Sequence, residues 1–288
     1  MSLAPSRRAV ASGLVGGLAA RPARAAAAPR RVVSLSPCLD VILVHVADRA
    51  QIAAISHYAR DPNGSNIYAV SHSFPITYET AEEIVALRPD LVLMARHSSP
   101  ATRSALERLD IPSMLFPVPE TVEASLAQVA DIAAAVGRPG RGRAVVAAIR
   151  AALAAGAPAP EDPPLTALVF ESGGFASAPG TLMDEMIRRA GFINAATRYG
   201  LKRTGDVPLE QVIADPPDVL LAGAPKPGAP TWADRVLAHP ALARLSPKVH
   251  RAAFPQRLMF CGGPVLIETA AMLARARRGA LAQRAARG

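Results

Sequence analysis

One phrase occurs twice in the chain, and it constrains the fold more than any other feature. Ala81-Glu82-Glu83-Ile84-Val85-Ala86-Leu87-Arg88-Pro89-Asp90-Leu91-Val92-Leu93 is echoed by Pro208-Leu209-Glu210-Gln211-Val212-Ile213-Ala214-Asp215-Pro216-Pro217-Asp218-Val219-Leu220. Each copy reads as an acid-headed helix, a Pro-Asp turn and an apolar strand. The strands are near-continuous apolar runs, the pattern of a parallel sheet covered on both faces. A chain that builds this unit once in each half is expected to fold as two α/β lobes.

The flanking segments agree. Arg31-Val32-Val33-Ser34-Leu35 is a β-branched strand, and Ser36-Pro37 opens a helix over 38–46, with proline in a first turn where it costs no hydrogen bond. Strands are predicted at 51–56, 91–94 and 112–116, and helices at 80–87 and 101–109. A helix over 122–136 is broken by Gly137-Arg138-Pro139, and a second runs from Arg141 to Ala155 before Pro158, Pro160, Pro163 and Pro164 stop it. At ~1.5 Å per residue that second helix spans roughly 25 Å, enough to bridge two lobes. The second half repeats the alternation from 166 to a terminal helix near Val265. The predicted fold class is α/β: two lobes, each a mostly parallel sheet flanked by helices, joined by a single long connecting helix. The expected boundaries are 29–137, 138–157 and 164–288.

Composition removes several classes. With 288 residues, 50% of them hydrophobic, the chain is neither disordered nor collagen-like nor a disulfide-stapled mini-protein. Only 4% are aromatic, which argues against readers that stack nucleic-acid bases. The net charge of +9 includes Arg7, Arg8, Arg21 and Arg24, with no acid among them, so the remainder carries 9 − 4 = +5. Arg275, Arg277, Arg278, Arg284 and Arg287 crowd the last turns, as expected of a helix C-terminus and a solvated tail. No nucleic-acid partner is expected.

The first 25 residues read as a leader. Ser6-Arg7-Arg8 precedes a weakly apolar run over 9–20, and Ala23-Arg24-Ala25 supplies a small-x-small cleavage pattern. In outline this is a twin-arginine export signal. The run contains Gly13, Gly16 and Gly17 and is too short to span a ~30 Å hydrocarbon layer. Export to the periplasm is the expectation, without a lipid anchor, since no cysteine lies near the cleavage pattern.

The duplicated phrase, one copy per lobe with a helix between, resembles the helical-backbone class of periplasmic substrate-binding proteins that serve ABC importers of cobalamin and ferric siderophores. The resemblance runs from about Arg31 to the terminal helix. It also includes Gly180-Thr181-Leu182-Met183-Asp184-Glu185, Ala190-Gly191-Phe192-Ile193-Asn194 and Gly262-Gly263-Pro264. It implies a metal chelate (cobalamin, a ferric siderophore or haem) held between two lobes. It further implies a monomer that delivers this ligand to an ABC permease and its ATPase in the inner membrane, with no cofactor and no chemistry of its own. One exposed glutamate on each lobe would meet the permease, and the matching positions are Glu82 and Glu210, with Glu83 adjacent. Exposed carboxylates suit that task because charge complementarity orients encounter without tight binding.

Ligands of α/β sheets bind at strand carboxyl ends. Those positions offer Ser36-Pro37-Cys38, His57-Tyr58-Ala59-Arg60 and Arg96-His97 in the first lobe, and Glu171-Ser172-Gly173-Gly174-Phe175 and Phe260-Cys261-Gly262-Gly263 in the second. Tyr58 and Phe175 can stack on a flat ligand, Arg60 and Arg96 can pair with carboxylates or phosphate, and His57 or His97 can ligate a metal. Cys38 and Cys261, the two cysteines of the chain, fall on opposite lobes at cleft-facing loops. Three arrangements stay open: an inter-lobe disulfide, thiols that contact a soft metal in the ligand, and inert small hydrophobes. Two other functions remain as alternatives. A free zinc or manganese receptor needs three or four converging donors. An enzyme needs a placed acid/base pair, yet no phosphate-cradling loop, nucleophile elbow or His-Glu-x-x-His motif is present.

Overall fold

The computed structural model describes residues 27–223, 232–245 and 248–287, so the expected leader lies outside the described residues. In the first half, β1 (Val32–Ser34), α1 (Pro37–Val46), β2 (Ile52–Ser56), α2 (Tyr68–Ser71), β3 (Ile76–Thr77), α3 (Ala81–Ala86), β4 (Leu91–Ala95), α4 (Pro100–Arg108) and β5 (Ser113–Phe116) alternate along the chain. Two helices follow, α5 (Val122–Ala135) and α6 (Pro139–Ala155). The second half holds β6 (Leu165–Phe170), β7 (Phe175–Ala176), α7 (Leu182–Arg189), β8 (Phe192–Asn194), β9 (Gly205–Asp206), α8 (Leu209–Ala214) and β10 (Val219–Ala222). It ends with α9 (Trp232–Leu237), α10 (Pro240–Arg244), β11 (His250–Ala253) and α11 (Val265–Ala285).

Helix starts are written locally. The side chains of Thr80, Ser99, Thr121 and Thr181 accept a hydrogen bond from the third helical N–H of α3, α4, α5 and α7, satisfying donors a helix end would otherwise strand. The first sheet has strand order β3-β2-β1-β4-β5 and the second β11-β10-β6-β8, with every pairing parallel. β7 and β9 form a small antiparallel pair beside the second sheet.

The repeated phrase occupies the same place in each lobe. Its strand, β4 or β10, pairs in parallel with the lobe's first strand, Val92 beside Val33 and Leu220 beside Leu168. The aspartate of its turn pins the start of that first strand. Asp90 accepts from the N–H groups of Arg30 and Arg31 at 2.7 and 2.8 Å, and Asp218 accepts from the N–H and Oγ1 of Thr166 at 2.7 and 2.8 Å.

Alternate strand residues face two layers. Val33, Val92 and Met94 pack with Ile84 and Leu106 on the outer face of the first sheet, and Leu168, Phe170 and Leu220 pack with Val212 and Leu242 on the outer face of the second. The inner faces feed one continuous core that runs from Val32 and Leu93 through α1, α5 and α6 to Val169, Leu221 and Leu273 of α11. Helix α6 spans the lobes, touching α5 and α1 on one side and α11 on the other, with Ile149 wholly buried. It begins two residues earlier than the strong helix formers suggest, because Pro139 is favoured at a first helical position.

Two expectations need correction. Arg277 is not part of a solvated tail: it is 3% exposed, its guanidinium donates to the carbonyls of Gly191 and Pro163 at 2.6 and 2.8 Å, and it pairs with Asp162. The edge strands β3 and β8 were also not foreseen. At two and three residues they are held by their neighbours rather than by a pattern of their own.

The α5–α6 crossing is closed to side chains at Gly142, where an added Cβ would lie 2.5 Å from the Ala133 Cβ. Helix propensity favours Gly142→Ala by about 1 kcal/mol, but overpacking opposes it by about 1–3 kcal/mol. The expected outcome of urea denaturation is a net loss of stability.

Candidate functional site

The loops at the carboxyl ends of both sheets meet and are fastened. Cys38, in the first turn of α1, and Cys261, just ahead of α11, form a disulfide with Cα atoms 5.0 Å apart. The Gly262-Gly263 backbone runs tightly between α1 and α5: the Gly263 N–H donates to Ser125 Oγ at 2.6 Å, and a Cβ there would meet Ile42 at 2.8 Å. Gly263 also sits at φ +63°, where only glycine rests without strain. Further out, the Asn66 amide donates to the Arg257 carbonyl at 2.8 Å, and the Arg257 guanidinium donates back to Asn66 Oδ1 at 2.9 Å while pairing with Glu268. Val122 N–H donates to Glu185 Oε2 at 2.7 Å, tying α5 to α7.

The disulfide selects one of the three arrangements open to the cysteines. Two sulfurs bonded to each other are not thiolates, so Cys38 and Cys261 do not ligate a metal. They remain at the junction of the lobes, with Cys38 Sγ 3.7 Å from the Phe260 carbonyl.

Two aromatic groups flank this junction. In the first lobe, the ring of His57, just after β2, lies 4.0 Å from that of Tyr58 and stacks 4.9 Å from that of Tyr78, which follows β3. Tyr58 is 52% and Tyr78 62% exposed, an unusual investment of large side chains in solvent. In the second lobe, Phe175 and Phe260 lie 5.9 Å apart, with Phe260 51% exposed. Tyr78 escaped sequence reading because the strand before it is only two residues long. Phe260 lay within a candidate loop but was not singled out.

Three carboxyls, two buried and one half-buried, lie near these strand ends. Asp40, wholly buried on α1, accepts from the N–H and Oγ of Ser56, the latter at 2.6 Å. Burial pushes its carboxyl up to about 7, against the lowering effect of those hydrogen bonds. Glu79, beside Tyr78, is raised by burial and lowered by facing His57. Glu171, after β6, is pushed up to about 8 by burial.

The remaining candidates are more scattered. Arg60 is exposed and donates to the Phe74 carbonyl at 3.3 Å. Arg96 and His97 are exposed at the end of β4, and among the described hydrogen bonds none joins their side chains to either aromatic group. Glu82 and Glu210 are both exposed at the second position of α3 and α8. Glu83 has a local task, accepting from Thr77 Oγ1 and the Tyr78 N–H at 2.8 and 2.7 Å. Among the described residues no three His, Cys, Asp or Glu side chains gather around a cation-sized site.

The family model described as periplasmic binding protein matches residues 32–247. Among solved structures, the periplasmic heme-binding protein RhuT from Roseiflexus sp. RS-1 is 22% identical with TM-score 0.67, covering 86% of this chain and 99% of that one. The periplasmic vitamin B12 binding protein BtuF of Vibrio cholerae is 16% identical with TM-score 0.66, covering 88% and 98%. An ABC-type Fe3+-hydroxamate transport protein from Saccharomonospora viridis DSM 43017 is 20% identical with TM-score 0.65, covering 86% and 93%. These likenesses show the two-lobed fold. No curated protein matches the chain.

The disulfide closes a separation of 223 residues, so the double change Cys38→Ser with Cys261→Ser is expected to cost about 2–5 kcal/mol. Thermal unfolding with and without reductant checks this: wild type in reductant should fall to the variant's midpoint, and the variant should not respond. The raised carboxyls give a second expectation. A folded pKa above the unfolded one stabilises the protonated fold below about pH 4, and this contribution is lost as pH rises through about 7 to 8 for Asp40 and Glu171. Glu171→Gln should therefore gain stability relative to wild type by about 2 kcal/mol between pH 5 and pH 8 in denaturant titrations.

Proposed function

The chain belongs to the periplasmic binding protein family, and from that premise we propose that it captures a metal chelate between its lobes and hands it to an ABC permease. The observation that carries this reading is the meeting of two sets of strand-end loops, each bearing exposed aromatic side chains: Tyr58 and Tyr78 on one lobe, Phe260 beside Phe175 on the other. Flat or macrocyclic ligands bind such faces by burying apolar area on both sides. Carboxyl ends of parallel strands are also where α/β sheets hold ligands.

His57, Tyr58 and Phe175 would form the contact surface, with Arg60, Arg96 and His97 at its margin and the Cys38–Cys261 bridge at the junction. The protein would act as a monomer in the periplasm, exported through the twin-arginine leader, with no cofactor and no catalysis of its own. Its partners would be the permease and its ATPase in the inner membrane. Solved neighbours include proteins whose names specify heme, vitamin B12 and an Fe3+-hydroxamate system, which supports the chelate class as a whole. A free-ion receptor is less well supported, since three or four donors around one cation are needed and no such group exists among the described residues.

Glu82 and Glu210 would dock the permease. They head equivalent helices of the two repeated units and make no described side-chain bond. Thermal-shift titration against cyanocobalamin, a ferric hydroxamate, haemin and zinc tests the capture step, because a ligand that binds only the native state raises its midpoint. One chelate should stabilise the protein; stabilisation by zinc alone would favour the ion receptor. In the double variant Glu82→Arg with Glu210→Arg, chelate affinity should stay within about threefold while uptake into cells falls by about tenfold or more, since charge complementarity governs encounter with the partner.

A further inference from the structure

The first lobe places a carboxyl group with an unpartnered oxygen beside its exposed tyrosines, and the second holds another on Glu171, whose N–H donates to the Phe175 carbonyl at 2.9 Å. In the first lobe, Oε1 of Glu79 and Nδ1 of His57 are sealed from solvent with no hydrogen-bond partner. Glu79 is held at φ +71°, a left-handed conformation rarely adopted by a residue with a Cβ. Its N–H donates to Thr77 Oγ1 at 3.0 Å and its carbonyl accepts from Thr102 Oγ1 at 2.9 Å, so the surrounding structure imposes the conformation. Strain of this kind is retained where it positions a group for a task. In the second lobe, Glu171 is 2% exposed and its Oε1 is likewise unpartnered. The neighbouring position at the end of β10 is Gly223, where a Cβ would lie 2.4 Å from Glu171 Oε2.

His57 faces Glu79 and lowers it against the effect of burial, and among the described hydrogen bonds no arginine or lysine reaches either carboxyl. Arg60 is turned to the Phe74 carbonyl, and neither Arg60 nor Arg96 bonds Glu79 or Glu171 among the described contacts. Burial favours the neutral form of both acids. A ligand carboxylate placed beside such a group finds no arginine or lysine to pair with among the described residues and must share its neighbour's proton, since two adjacent carboxylates do not both ionise freely. An amide offers a donor and an acceptor together. It satisfies a carboxyl in either protonation state and an imidazole nitrogen in either tautomer.

We propose, resting on the chelate-binding reading above, that the cleft selects a chelate with an amide-bearing, uncharged periphery over one bearing carboxylates, and that Glu79 and Glu171 are the residues that read the amides. A corrinoid and a ferric hydroxamate share this chemistry; a dicarboxylate porphyrin does not. The Tyr58, Tyr78, Phe175 and Phe260 rings contribute contact area to all of them, and the two glutamates discriminate.

Equilibrium dialysis of the full chain at pH 7 against cyanocobalamin, the cyclic and uncharged ferrioxamine E, and haemin, read by ligand absorbance, tests this. Wild type should bind one of the first two at least about tenfold more tightly than haemin, since a site built for hydrogen bonds rejects ligands that leave its groups unpaired. Which of the two binds identifies the source of the amide. Glu79→Gln should stay within about threefold, because an amide still exchanges hydrogen bonds, whereas Glu79→Ala and Glu171→Ala should each weaken binding by about tenfold. Circular dichroism establishes that each variant is folded. Should an alanine variant fail to fold, Glu79→Lys is read instead, with neutral-chelate binding lost and haemin binding gained. Tightest binding to haemin, or neutral-chelate affinity untouched in the folded alanine variants, would overturn this inference and leave the chelate-binding reading standing. Absence of binding to all three ligands would overturn both.

Discussion

The structure depends on a single apolar core that does not stop at the boundary between the lobes. Val32 and Leu93 of the first sheet and Val169 and Leu221 of the second belong to the same cluster, joined through α1, α5, α6 and α11. Interiors pack densely and resist partial separation. Pulling the lobes apart would expose that core, so α6 with its buried Ile149 acts as a strut more than as a hinge. At the other end of the junction the Cys38–Cys261 bond, the Asn66–Arg257 pair and the Ser125–Gly263 hydrogen bond fasten the strand-end loops directly. A junction braced at both ends is pre-formed, and a ligand captured there, as proposed, would avoid much of the ordering cost that a mobile site incurs.

Polar placement at the strand ends follows from the sheets. Parallel strands end at one edge, so the residues that follow them gather there by topology alone. This brings His57, Tyr78 and Glu79 together from β2 and β3, and Glu171 and Phe175 from β6. Burial is the largest influence on the carboxyls of Asp40, Glu79 and Glu171, and it raises all three. The charge of the chain as a whole is a poor guide to this site. Part of the basic excess falls within residues 1–25, and part is spent on structural contacts, as with Arg277 of α11 on Asp162 and Arg138 and Arg141 on Asp48.

The repeated phrase made the architecture legible, because periodicity, a Pro-Asp stop and an apolar strand are all local signals. The structure adds the reason its aspartate recurs: Asp90 and Asp218 pin the first strand of their respective lobes, a long-range contact that no local pattern announces. The site was legible only in part. Strand-end loops pointed to His57, Tyr58 and Phe175, but Tyr78 and Glu79 follow a two-residue edge strand whose existence is set by pairing with β2. The cysteines were visible as a pair on opposite lobes, yet only the distance between them decides among a bridge, a pair of ligands and inert packing.

Hydrogen exchange of the backbone amides, measured with cyanocobalamin, a ferric hydroxamate and haemin added in turn, tests the central claim most directly. The account predicts that the chelate that binds slows exchange together in the loops after β2, β3 and β6 and in the segment before α11, while the outer helices α3, α4 and α8 are unaffected. Protection confined to one lobe, or appearing on the outer helices, would contradict capture between the lobes.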